Sequence, residues 1–151
     1  MFSQTVEYAL RAMVQLAHEA PEACTTKRIA EQTQVPGAYL AKVLQSMRKA
    51  GLVNSRRGVG GGVSLALPPK KISLLDVVNA VEPFERMRQR PLNLGTHNKG
   101  LRPLHQKIDQ VMAYVQKSYG STKLSDLINQ PGQSTSPGNG PKPRRKRKKK
   151  K

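Results

Sequence analysis

The stretch "SRRGVGGGVSLAL", Ser55 to Leu67, sets four glycines, Gly58, Gly60, Gly61 and Gly62, within five residues behind Arg56 and Arg57. Glycines this dense beside cations suit one of two chemistries. Either backbone amides cradle the phosphates of a nucleotide, or a bare hairpin lies against the backbone of a nucleic acid. The first demands residues that are missing. A dinucleotide fingerprint begun at Gly58 needs glycine where Val63 stands, a Walker loop needs Lys and then Ser or Thr after its last glycine, and both lead into a helix. Here the glycines lead into "VSLAL" and then Pro68-Pro69. Leu52 to Arg57 and Val63 to Leu67 alternate apolar and polar residues as two half-buried strands do, with the glycines in the connection. The reading is a β-hairpin. Gly60, Gly61 and Gly62 let it approach a sugar-phosphate edge, and Arg56 and Arg57 at its base reach phosphate or a minor groove.

Other site chemistries find little support. Cys24 is the only cysteine, so the chain forms no intrachain disulfide and cannot by itself supply the thiolates of a four-ligand metal site. His97 and His105 read as loop or surface residues. There is no Ser/His/Asp, metal or nucleotide constellation, so neither an enzyme nor a resident cofactor is expected.

The hairpin needs a frame, and the chain before it provides one. From Ser3 to His18, Val6, Leu10, Met13, Val14 and Ala17 recur at helical spacing, and Pro21 stops the pattern. Thr25 can cap a second helix, Thr26 to Gln34, with Ile29 and Ala30 inward. Pro36 suits the first position of a third helix that runs to about Ala50 and ends at Gly51. Its Leu40, Val43, Leu44 and Met47 form a core face; Gly37, Ala38, Ala41, Lys42, Gln45, Arg48 and Lys49 form an open face without an acid. A short helix, a tight turn and a longer basic helix make a helix-turn-helix, and the hairpin behind it is a wing.

Beyond the wing, Ser73 caps Leu74 to Glu82, with Leu74, Val77, Val78 and Val81 inward and Asp76 completing an approximate capping box. Residues 86–103 carry Pro91, Gly95, Gly100 and Pro103 and read as a loop. A long helix, Leu104 to Tyr119, then aligns Leu104, Ile108, Val111, Met112, Val115 and Tyr119 in one stripe suited to pairing with a second copy. Gly120 closes it, and Thr122 opens a last helix, Lys123 to Asn129. From Pro131 the composition turns to Pro, Gly, Ser and Gln and ends in "KPRRKRKKKK", which has nothing to bury and is expected to be disordered.

Charge points the same way as the motifs. The chain carries 27 Lys and Arg against 9 Asp and Glu, a formal +18. Nine of the bases lie after residue 141 and all nine acids before residue 130, so the first 130 residues alone retain +9. A polyanion is the expected partner. Glu7, Arg11, His18 and Glu19 interrupt any signal-peptide core, and no apolar run reaches the roughly 18 residues a membrane helix needs, so the expected setting is the cytoplasm, at the nucleoid.

Four strings in register, "EYALRAMVQLA" at 7–17, "KRIAEQTQVPGAYLAKVLQSMRKAGLV" at 27–53, "SRRGVGGGVSLA" at 55–66 and "ISLLDVVNAVE" at 72–82, resemble the Rrf2 (BadM-like) family of winged helix-turn-helix transcriptional regulators. The resemblance implies a homodimer joined through the long C-terminal helix, each protomer placing a recognition helix and a wing on double-stranded DNA. Carried over by position, Pro36, Gly37, Ala38 and Tyr39 are the base-reading end of that helix, with Lys42, Gln45 and Arg48 further along. Thr26 and Lys27, opening the second helix, complete the DNA-binding set. Many relatives hold an iron-sulfur cluster through cysteines in the loop before the long helix. Arg90 and Arg102 stand where those cysteines are expected, and a fixed positive charge opposes a cationic cluster, so no cluster is expected.

The expected architecture is mainly α. It comprises a winged helix-turn-helix over 1–83, a loop over 84–103, the long helix and a short terminal helix over 104–130, and a polybasic tail over 131–151. The expected function is sequence-specific regulation of transcription, as a homodimeric repressor without a cluster, with a tail that binds nucleic acid non-specifically. The competing reading is an architectural nucleoid protein with little sequence preference.

Overall fold

The computed structural model describes residues 2–84 and 99–129. Among the described residues, six helices and one two-stranded antiparallel sheet run in the order α1 (Gln4–Glu19), α2 (Thr26–Thr33), α3 (Gly37–Lys49), β1 (Val53–Arg56), β2 (Gly62–Leu65), α4 (Leu74–Val81), α5 (Arg102–Ser121) and α6 (Leu124–Ile128). Short 3₁₀ turns occupy Pro69–Lys71 and Lys99–Leu101. The tail and most of the expected loop, residues 85–98, lie outside the described residues.

Helices α1, α2 and α4 start where a side chain can take up their unpaired amides. Ser3 accepts from the Val6 N–H, Thr25 from the Arg28 N–H, and Ser73 and Asp76 form a complete reciprocal capping box. Pro36 differs from expectation: it is the N-cap of α3, with extended ψ, and Gly37 is the first helical residue. Gln34, φ +56, makes the turn between α2 and α3, and Gly51, φ +74, ends α3 in the left-handed conformation that glycine adopts without strain.

The core gathers the inner faces of these helices. Ala9, Ala12, Met13 and Leu16 of α1, Ile29 of α2, Leu40, Val43 and Met47 of α3, and Val77 of α4 are all sealed from solvent. A second cluster, Val6, Val78 and Phe84, joins α1 to α4 and receives Met112, Val115 and Tyr119 from α5. Tyr119 stacks on Phe2 at 5.2 Å between ring centroids. Half of the stripe expected to pair with another copy therefore packs within its own chain.

Two boundaries of α5 also differ from expectation. The helix begins at Arg102, because a proline in the first turn forfeits no hydrogen bond and Pro103 is accommodated there. It runs on through Gly120, which lies against Leu75 of α4: a Cβ at Gly120 would sit 3.5 Å from the Leu75 side chain. Nor does Thr122 cap α6. Asp126 accepts from the Lys123 N–H instead, and Lys123 pairs with Ser73 in an isolated antiparallel bridge, with Leu124 N–H donating to Ile72 O at 3.0 Å and Leu74 N–H to Thr122 O at 3.0 Å. These bonds fasten the C-terminal arm to the segment that leaves the wing.

Candidate nucleic-acid interface

The candidate surface begins with α3, a helix that no side chain caps. Pro36 supplies no side-chain acceptor to α3. The first-turn amides at Gly37, Ala38 and Tyr39 thus carry the positive end of the helix dipole outward, an arrangement suited to anions. Pro36, Gly37, Ala38, Tyr39, Lys42, Gln45 and Arg48 are all exposed, on the side opposite Leu40, Val43, Leu44 and Met47. That face holds no carboxylate. Tyr39, half exposed, does not stand alone: the ring of Tyr8 from α1 meets its edge at 5.8 Å, and Tyr8 is itself engaged by Gln4 at 2.7 Å. α1 thereby helps to aim the tyrosine.

Elsewhere in this half of the chain, two of the acids are paired. Glu19 accepts from Arg28 at 2.9 Å, and Glu7 is ion-paired with Arg11, whose second nitrogen reaches Thr33 O. Thr26 and Lys27 are exposed at the opening of α2. A shallow cleft lined by Thr26, Gln45, Arg48 and Ser55 joins α2, α3 and β1, and Arg48 also borders a second cleft with Asn54, Arg56 and Gly60. Of the expected residues, Thr26, Gln45, Arg48, Arg56, Gly60 and Gly62 thus open onto these two clefts, which share Arg48 and Ser55.

The wing is built more tightly than its sequence suggests. β1 and β2 pair in the register Val53 with Leu65 through Arg56 with Gly62. Val53 and Val63 are buried and Leu65 packs partly against the core, so the apolar alternation seats the root of the hairpin, while β1 beyond Val53 lies in solvent. A third segment joins that root: Cys24 and Val63 exchange both backbone hydrogen bonds at 2.8 Å. Gly62, φ +139, is required there, because a Cβ would fall 2.7 Å from Cys24 O. Gly61 is required by the turn, since its Cβ would meet Arg56 O at 2.4 Å. Gly61 and Gly62 thus have an intramolecular requirement, clearance of the protein's own backbone, beside the approach to a sugar-phosphate edge expected of Gly60 to Gly62. Gly60 faces open space at φ +73, at the third position of a turn closed by Gly61 N–H to Gly58 O at 3.0 Å, the place where a type II turn demands glycine.

Sequence reasoning missed Val59. It stands at the tip of the wing, fully exposed, and its signal was a lone apolar residue between glycines. It also missed the place of Cys24, whose pairing partner lies far along the chain. Burial pushes the Cys24 thiol above its ordinary pKa, with Glu19 adding to the rise and Arg28 opposing it. A thiol so placed is a weak nucleophile and a poor ligand.

On α5, Leu104, Val111 and Tyr114 are the exposed apolar side chains, while Met112, Val115 and Tyr119 face inward and Ile108 lies between the two sets. With about 100° per residue the two groups form one continuous apolar arc, inner edge packed and outer edge open.

Comparison with known proteins agrees with this geometry. The pattern of the Rrf2 family, described as "Iron-dependent Transcriptional regulator", matches residues 2–130. A protein of Aquifex aeolicus (strain VF5), named as a helix-turn-helix-type transcriptional regulator, is 31% identical over 132 residues, which are 85% of this chain and 92% of the relative. Among solved structures, IscR of T. potens superposes with a TM-score of 0.72 at 26% identity, covering 90% of this chain and 93% of that one. CymR, the global cysteine regulator of B. subtilis, does so with a TM-score of 0.68 at 26% identity, covering 85% and 95%. The chain belongs to the Rrf2 family: it is a winged helix-turn-helix, DNA-binding transcriptional regulator and not an enzyme.

The iron in the family's description does not fit the donors here. The chain has one cysteine, and that residue is buried at the root of the wing, where burial raises its thiol pKa. Among the described residues no three His, Cys, Asp or Glu side chains gather as metal ligands. Arg102, at a position where the family resemblance leads to a cysteine, opens α5 with a cation.

Proposed function

We propose that this regulator binds an operator of two half-sites as a homodimer and represses the genes beside it without an iron-sulfur cluster. The exposed, acid-free face of α3 beside the wing carries this reading. Such a surface suits the major groove, about 12 Å wide, with Arg56 and Arg57 on the flanking backbone or minor groove. Gly37 and Ala38 offer no side-chain donor, so Tyr39, Lys42, Gln45 and groove shape read the sequence. The open edge of the α5 arc, Leu104, Val111 and Tyr114, meets the same edge of a second copy, a self-complementary contact about a two-fold axis. Residues 131–151, with nine cations after residue 141, add a sequence-independent hold on phosphate.

Selecting bound fragments from genomic DNA and comparing the best with an unrelated duplex at one salt concentration tests the proposal. A regulator gives a preference of about 10³ or more. A ratio near unity would instead support an architectural protein, the reading that the polybasic tail favours. If four tail cations contact phosphate, removing residues 131–151 flattens the slope of log K against log salt by about 4 × 0.9 and leaves the operator preference intact. A reporter driven from the selected site falls on expression of the protein if it represses and rises if it activates.

A further inference from the structure

The wing ends in a residue that nothing in the fold explains. Val59 makes no contribution to the core, which stops at Val53 and Val63, and it is the most exposed large apolar side chain among the described residues. A β-branched residue has no intrinsic preference for a turn apex; asparagine, aspartate or serine would fit a solvated tip better. The turn beneath it is held firmly, by Gly61 N–H to Gly58 O at 3.0 Å and by glycines at φ +93 and +73 on either side. Val59 is therefore presented outward on a short, clamped ribbon.

The surroundings say what such a tip meets. From Leu52 to Leu67 there is no acid, and Arg56 and Arg57 precede the turn, both exposed. An apolar knob with guanidinium groups behind it is poorly matched to a protein groove lined by mixed charges. It is well matched to the minor groove of DNA, where arginine is drawn to the negative potential between the phosphate rows and apolar side chains press on sugars and base steps. We propose that Val59 is an apolar wedge, seated in the minor groove beside each half-site while Arg56 and Arg57 hold the groove walls. The proposal rests on the wing being part of the DNA interface. Because a dimer carries two wings, each duplex meets two such wedges.

The experiment uses the full-length chain and a 30-base-pair duplex selected by that chain from a random library, titrated at several salt concentrations. Val59→Ser removes the apolar contact and leaves charge and turn unchanged, so binding weakens at least tenfold at every salt concentration and the log K against log salt lines stay parallel. Val59→Ile restores binding to within about twofold of the unaltered chain. Arg57→Ala, in contrast, flattens the salt slope, since a phosphate contact is lost. Val59→Ser binding within twofold of the unaltered chain overturns the wedge, as does weakening that Val59→Ile fails to restore. Failure of the unaltered chain to distinguish the selected duplex from an unrelated one overturns the interface reading instead. Because Val59 touches no core residue, the melting temperatures of the two Val59 variants should match that of the unaltered chain, which separates lost contact from lost fold.

Discussion

Helix α3 and helix α5 are both amphipathic, yet they are used in opposite ways. α3, with 13 residues, buries four of them fully and turns a polar, acid-free face outward; α5, with 20 residues, buries none fully and leaves apolar side chains in solvent. One helix spends its apolar face within the protomer and offers charge. The other divides its apolar arc and offers the remainder. An acid-free polar face fits a polyanion, and an open apolar arc fits another protein surface, so the contrast matches the two roles proposed for them, DNA contact for α3 and pairing with a second copy for α5.

Breaking the contrast is simplest in the core. Leu40→Ala should cost about 2–5 kcal/mol, the range for a large-to-small change at a sealed position, whereas Met112→Ala on half-buried α5 should cost about 1 kcal/mol. Urea unfolding at a fixed protein concentration measures both, and equal costs would mean that α5 is as integral to the protomer as α3. Next in size is the outer edge of α5. Val111→Asp combined with Tyr114→Asp should weaken self-association by at least about tenfold, roughly 1.4 kcal/mol, while far-ultraviolet dichroism of the dilute protein stays unchanged; sedimentation at several concentrations reads the first quantity. Undiminished association would place the pairing surface elsewhere. The smallest change is on the outer face of α3. Lys42→Ala should lower the salt slope by about 0.9 for each protomer bound and shift stability by no more than about 0.5 kcal/mol. A slope that does not move would remove Lys42 from the interface.

The inward faces of the helices and the caps at Thr25 and Ser73 are written locally and are legible in the sequence. The inward set of α3 followed from i, i+3, i+4 and i+7 spacing, and Ser73 with Asp76 announced the start of α4. What escaped depends on residues distant in the chain. Gly62 looks like a generic flexible position until Cys24, 38 residues earlier, is seen to pair beside it. Gly120 reads as a helix stop, but Leu75 of α4 gives it a neighbour and the helix continues. The stripe on α5 was visible as a whole, while its division into a packed edge and an open edge depends on where Val6, Val78 and Phe84 assemble. Pro103 reads as part of a loop because proline usually interrupts a helix, yet the first turn of a helix is where it does no harm.

The double hydrogen bond between Cys24 and Val63 gives the hairpin the mechanics of a cantilever. Anchored at one end to the strip of chain that enters α2, it has only the span from Arg56 to Gly61 left to swing. The reach from α3 to the tip is thus a gauge set within each protomer, and in the proposed interface an operator half-site carries its two recognition features at that separation.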